Sequence, residues 1–380
     1  MSILRTLTAA ETYIIAGVLL GLAGILTSYW LHSSKKNKEK GIIMSKIENA
    51  EKVREINPNE ALDIYEEILD TLSADKYPRL YARIHHGEGL CYYSLSLVKD
   101  KEDNLKLSII SFEKALKIRT IEEYPVEYAA TQNNLGNTYA ILAQIRDKEV
   151  NLTLAIKAYL EALIIRTADK FPAEHATTQN SLGNAYQSLS EVRDREDKLS
   201  LAIAAYEEAL VIRTEEDFPA DYATTQNNLG NAYTGLSQVC DKEANLDLAI
   251  EAYEEALKVR TVEKYPIDYA RTQNSLGVAY RKLSQIRDKE HNLTRAIEAY
   301  GEALKIRTAD KLPIDYAATQ NNLGAAYRNL SKVRDKEEML TRAIEAYEEA
   351  LKIWTADKFP ADYARTQSNL LIAQKNLDIP

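Results

Sequence analysis

Residues 131–139 read TQNNLGNTY, and nearly the same nine letters return as TQNSLGNAY at 178, TQNNLGNAY at 225, TQNSLGVAY at 272 and TQNNLGAAY at 319. Every interval is 47 residues. Seven of the nine prolines keep the same period, at 78, 125, 172, 219, 266, 313 and 360. Repetition at this length signals stacked units that bury their apolar faces only against one another. The motif itself holds amides and no chemically reactive group, so the repeat promises an architecture before it promises chemistry.

Each unit divides into two helical patterns. In the copy beginning at Pro125 the first opens at the proline, a favoured first helical position, and continues to about Ile145. Its apolar stripe runs Ala129, Leu135, Tyr139, Leu142 and Ile145, at helical spacing. The charged turn RDKEVN follows, with Asn151 predicted as the N-cap of the second helix. That helix, LTLAIKAYLEALIIRT, carries Leu154, Ala155, Ala158, Tyr159 and Ala162. No part of the repeat alternates with strand period.

These residues resemble the tetratricopeptide repeat. Leu135, Gly136 and Tyr139 match L-G-x-x-Y of its first helix, and Ala155, Tyr159 and Ala162 match A-x-x-x-[FY]-x-x-A of its second. The match recurs in the copies starting at 172, 219, 266 and 313. The unit is longer than the usual repeat, and the tryptophan common in the first helix is Gln132 here. Lengthened helices with T-x-N-N-L resemble the kinesin-light-chain-like branch. The resemblance implies an all-α, right-handed superhelical solenoid of antiparallel helix pairs. It covers about residues 45–376. A partial unit at 45–77 precedes six 47-residue units over 78–359, and a closing helix occupies 360–380. At 83–92, RIHHGEGLCY keeps Gly89 and Tyr92 but has Glu88 in the leucine position.

The N-terminus reads differently. Behind a short tail at 1–11, Thr12 to Leu31 holds no charge in 20 residues, about the length that spans a hydrocarbon core as helix. Tyr13, Tyr29 and Trp30 stand at its ends, where amphipathic rings favour the interface. A cleaved signal peptide is the competing reading; the absence of an A-x-A-like site and the lysines behind the run weigh against it. An anchor at 12–32, a basic linker at 33–44 and a single-pass protein with its repeats in the cytoplasm are therefore expected, because Lys35, Lys36, Lys38 and Lys40 follow the run. Gly17 and Gly21 form G-x-x-x-G, a spacing that permits a homodimer through paired helices.

With Leu135 and Tyr139 facing the core, the opposite stripe of the first helix holds Asn133 and Asn137, then Asn180 and Asn184, Asn227 and Asn231, Asn274, and Asn321. The resemblance implies that this stripe lines a concave groove. A carboxamide both donates and accepts, which suits the backbone of an extended peptide. The competing reading has the asparagines bonding to neighbouring helices to hold the stack in register. Toward the C-terminus the stripe gains Arg271, Arg281, Arg328 and Arg365, which suggests a local site for carboxylate or phosphate groups, unless it is an ordinary solvated face.

The rest of the composition narrows the function. Lys and Arg number 48 against 57 Asp and Glu, a net charge of −9, which lacks the basic footprint of a nucleic-acid binder. Cys91 and Cys240 lie about three repeats apart and are not expected to bridge. Five scattered histidines, His32, His85, His86, His175 and His291, show no metal-ligand spacing, and no motif implies a cofactor. No constellation supplies a nucleophile, base and electrophile together, so no catalytic residue is assigned. The sequence thus predicts a membrane-tethered, non-enzymatic adaptor that binds a protein or peptide in its groove. The alternative is a self-associating scaffold at the membrane.

Overall fold

The computed structural model describes residues 37–378, which form fifteen helices and no strand. The chain divides into two compact units, 1–131 and 132–380. In the first, α1 covers residues 37–54, so part of the basic linker is already helical. It is followed by α2 (Pro58–Leu69), α3 (Pro78–Ser96) and α4 (Lys101–Leu116). The boundary between units falls inside α5 (Pro125–Leu142). The second unit continues with α6 (Lys148–Leu163), α7 (Pro172–Leu189), α8 (Arg195–Leu210), α9 (Pro219–Leu236) and α10 (Lys242–Val259). It ends with α11 (Pro266–Leu283), α12 (Lys289–Leu304), α13 (Pro313–Leu330), α14 (Lys336–Ile353) and α15 (Pro360–Asp378).

Every proline of the 47-residue series is a first helical residue, where its missing N–H costs nothing. The first helix ends at Leu142 and not at Ile145, which is 40% exposed in the turn that follows. The turn closes at Asp147, whose φ of 46° is left-handed; Asp100, Asp194, Asp241, Asp288 and Asp335 repeat it at φ between 39° and 47°. Aspartate tolerates this region better than most residues, and its charge lies at the positive end of the helix it precedes. The second helix accordingly begins at Lys148. Asn151 is not its N-cap but lies one turn inside, 6% exposed, and its Nδ2 donates back to the Arg146 carbonyl at 2.9 Å. Leu154, expected in the core, is exposed, while Leu152 and Ile156 are buried in its place.

In the second unit each helix packs on the next, and the first helices of successive pairs (α7, α9, α11, α13, α15) also touch one another. Their shared face therefore runs continuously through the unit. The core between the layers is built on Tyr159, Tyr206, Tyr253, Tyr300 and Tyr347, all at most 1% exposed. Each ring lies against the glycine of the L-G pair on the preceding helix. A Cβ on Gly230, for example, would sit 2.7 Å from the Tyr253 ring, so only glycine permits this approach. In the first unit Phe112 takes the same place against Gly89. The two cysteines are free.

The single-pass placement expected from the sequence is corrected here. No described helix is long and apolar enough to cross a membrane. The physical reason is that these helices interleave amides and charges with their apolar positions, and hydrocarbon cannot solvate such groups. The stretch at 12–32, with Gly17 and Gly21, lies outside the described residues.

Candidate functional site

The first letter of TQNN explains most of the motif. In the second unit Thr178, Thr225, Thr272 and Thr319 are fully buried. Each accepts a hydrogen bond from the Nη1 of an arginine twelve residues earlier: Arg166 at 3.0 Å, Arg213 at 3.0 Å, Arg260 at 2.9 Å and Arg307 at 3.0 Å. Burial pulls all four guanidinium pKa values down, but arginine retains its charge, so each strut places a cation inside the stack. The threonine hydroxyl also lies in reach of an asparagine on the preceding repeat. Thr178 Oγ1 lies 3.0 Å from Asn133 Oδ1, Thr225 3.3 Å from Asn180 and Thr272 3.0 Å from Asn227, each sharing its one proton with the carbonyl four residues back at 2.8, 2.8 and 2.9 Å, and Thr366 donates to Asn321 at 3.2 Å. Asn274 Oδ1 instead accepts from Asn322 Nδ2 at 3.3 Å. Asn133 and Asn227 are 6% and 4% exposed, with their carbonyl ends committed to the neighbouring helix.

The second amide row has a different partner. Asn137, Asn184 and Asn231 accept from the buried hydroxyls of Tyr159, Tyr206 and Tyr253 at 2.8, 2.7 and 2.8 Å. One turn further along, Gln187 Oε1 lies 2.9 Å from the Tyr206 hydroxyl and shares its single proton with Asn184, and Thr234 meets the Tyr253 hydroxyl at 3.2 Å. Desolvation pushes both tyrosine pKa values up, so each remains a neutral donor. Asn184 is exposed and Asn137 and Asn231 are half-buried, so part of each residue is reachable from solvent while its Oδ1 is held by a tyrosine.

The arginines separate into two kinds. Arg271 and Arg365 are exposed and paired within their own helix turn, to Asp268 at 2.8 Å and Asp362 at 2.6 Å; Arg365 also lies over the Trp354 ring. Arg281 and Arg328 are half-buried and stand at the position held by Gln187 and Thr234 in earlier repeats, one and two periods after Thr234. Arg328 Nη1 donates to Asn369 Oδ1 at 3.1 Å, while Arg281 Nε is buried with no acceptor. In these repeats the amide of the second row has become Val278 and Ala325, so no amide accepts from the hydroxyls of Tyr300 and Tyr347, and Arg281 lies in hydrogen-bonding reach of Tyr300.

Three groups of residues escape a motif-by-motif reading: the arginine struts, the tyrosine hydroxyls and His86. His86 occupies the Asn133 position one period earlier, and its Nδ1 lies 3.1 Å from Thr131 Oγ1, itself held by Arg119 at 2.9 Å. Burial, with Arg119 and Arg54 nearby, pushes the His86 pKa down to about 3. Superposing the sequence on its own 47-residue register would have exposed all three groups. No cluster of three metal-ligating side chains occurs among the described residues. A cleft of about 1040 Å³ lies between α13 and α14, lined by Gln320, Leu323 and Tyr327 and by Glu337, Glu338, Glu345 and Glu349.

Comparison with known proteins agrees with this geometry. A tetratricopeptide repeat family model matches residues 317–357, and a second matches 91–120 and 230–261. The chain carries tetratricopeptide repeats. A solved structure of the C-terminal part of a TPR repeat-containing protein from Cytophaga hutchinsonii is 15% identical, with a TM-score of 0.51 over 85% of this chain and 99% of that one. The apo quorum sensor NprR from B. thuringiensis is 16% identical over 96% and 97% of the two chains at a TM-score of 0.48. BtubC (BKLC) from P. vanneervenii is 23% identical over 66% and 90% at 0.43. The first of these supports the shared repeat fold; the other two are too distant to argue from, and none speaks to a ligand. Comparison with curated proteins gives no match. The matches reach the tetratricopeptide repeat in general and do not support its kinesin-light-chain-like branch.

Proposed function

We propose that the chain is a non-enzymatic adaptor that holds an extended segment of a protein partner along the first-helix face of its second unit. The observation that carries this reading is the row of amide edges at Asn137, Asn184 and Asn231. Each is fixed from behind by a buried tyrosine, so its Nδ2 is oriented before a ligand arrives, and little side-chain freedom remains to be lost on binding. A row of oriented amides at repeat spacing suits the regularly placed carbonyls of an extended backbone. Asn133, Asn180, Asn227, Asn274 and Asn321 join this surface only at their edges. Their carbonyl ends hold adjacent repeats together.

The test separates the rows. Replacing Asn137, Asn184 and Asn231 by serine should weaken capture of the partner from whole-cell extract by roughly tenfold or more, at about 0.5–1.5 kcal/mol per lost hydrogen bond, with helicity retained. Replacing Asn133 and Asn227 should lower melting, and binding should fall only as the fold does. Unchanged capture by the folded first variant would exclude this face.

A further inference from the structure

Six large aliphatic side chains lie on the exposed side of two neighbouring second helices. Val150, Leu154, Leu160 and Ile164 of α6 are 37% to 60% exposed, and Leu201 and Val211 of α8 are 43% and 73% exposed. Both helices pack on α7, whose half-buried Tyr186 joins the cores on either side. Exposed aliphatics scattered singly are ordinary, but six gathered on one surface are not. The repeats themselves show that the fold does not require them. Four periods later the four α6 positions are Glu338, Arg342, Glu348 and Lys352 of α14. A polar tie has gone as well. Tyr233 and Tyr280 donate to Glu207 and Glu254, both at 2.8 Å, and the residue matching those glutamates for Tyr186 is Leu160.

We propose that this surface binds a second copy of the chain, with α6 antiparallel to α6 of the partner copy across a two-fold axis at the level of Tyr159. The surface is complementary to itself under that rotation. Leu154, Lys157, Glu161 and Ile164 follow at helical steps and share one face of α6. An antiparallel pair centred on Tyr159 sets Leu154 against the partner's Ile164 and Lys157 against the partner's Glu161, and the symmetry makes each contact twice. Glu161 is already engaged within its own chain, but a carboxylate accepts from more than one donor. The same axis, carried one period on to the level of Tyr206, sets Leu201 against the partner's Val211. One rotation therefore serves both helices, because they share the 47-residue register. It does not extend to α10, where Leu248 would face the partner's Lys258, so the apolar contact stops at α8. A foreign partner has no need of this internal match. The surface lies on second helices and uses none of the amide rows of the first helices, so the proposal stands apart from the groove.

The experiment is sedimentation equilibrium of the full chain over a range of concentrations, with melting followed on every variant. The parent should form a reversible dimer. Leu154→Arg with Leu201→Arg installs the residue that α12 and α14 carry at the same position, Arg295 and Arg342, so the fold accepts it. This variant should melt as the parent does and lose dimer affinity by roughly tenfold or more. Leu154→Glu and Ile164→Lys should each weaken the dimer. Together they should weaken it less than the sum of the two, because each new acid then faces a new base on the partner. The two positions lie ten residues apart on one helix, too far for the rescue to arise within a chain. A monomeric parent overturns the proposal, including one whose capture of a different protein fails in the arginine variant, which would give the surface to a foreign partner. A folded arginine variant that dimerises like the parent also overturns it and assigns the association elsewhere, residues 12–31 included. Additive losses from the glutamate and lysine changes overturn the antiparallel pairing.

Discussion

The repeats at 172 and 219 differ from those at 266 and 313 by very few inward side chains, yet the chemistry of their faces is opposite. In the earlier pair Tyr206 and Tyr253 are held by Asn184 and Asn231, and donors and acceptors balance. In the later pair Tyr300 and Tyr347 are equally buried, but the acceptors are gone and arginines stand beside them. The backbone, the glycine contact and the ring position are the same in both. A repeat protein can therefore change the polarity of one face by withdrawing an internal partner, with no change of fold. The stacking unit tolerates the change because the ring, and not the hydroxyl, fills the core.

Both pairs of repeats depend on the same arginine–threonine strut, so the largest expected effect lies there. Thr272→Val leaves Arg260 Nη1 buried without its acceptor and should cost about 1.5–3 kcal/mol, read as a lower denaturant midpoint. An equal loss from an exposed control such as Thr341→Val would show that the strut contributes nothing specific.

The next effect concerns His86, which fills the asparagine position of the first unit. Its pKa is pushed from 6.5 down to about 3, so the fold favours the neutral ring. The stability it contributes is complete above about 6.5 and is lost as pH falls from there toward about 3. His86→Asn restores the residue found at this position in every later repeat. Melting of the variant should fall less between pH 7 and pH 5 than melting of the parent; the same slope in both would sink the assignment.

The smallest effect is predicted for Arg271. Its exposed pair with Asp268 should be worth only about 0.2–1 kcal/mol, so Arg271→Ala should leave melting nearly unchanged. A loss as large as that from Thr272→Val would mean that the surface arginines are structural after all.

How much of this was legible beforehand follows from the physics of each signal. The prolines and the L-G pair announce themselves, because a helix start and a ring on bare backbone each admit few residues. The period therefore gave the helix pairs and their order. Asn151 was misread as a cap because the turn before it ends on a left-handed aspartate, and one-residue geometry of that kind has no periodic signature. The amide rows were found, but their two roles were not separable by sequence. Asn133 and Asn137 lie on one stripe of one helix, and only the neighbour that each meets, Thr178 or Tyr159, distinguishes them. The tyrosines were assigned to the core by their spacing, which is correct for the rings and silent about the hydroxyls. The apolar stretch at 12–31 was clear as composition, but the described helices supply no membrane span to go with it.

The most direct measurement compares two double variants, Tyr206→Phe with Tyr253→Phe and Tyr300→Phe with Tyr347→Phe, by denaturant unfolding of the full chain. The first should lose about 1 kcal/mol per hydroxyl, because each removal strands an oriented amide, and the second should lose less, because neither of its hydroxyls has an amide to donate to. Equal losses in the two variants, or a larger loss in the second, would contradict the account.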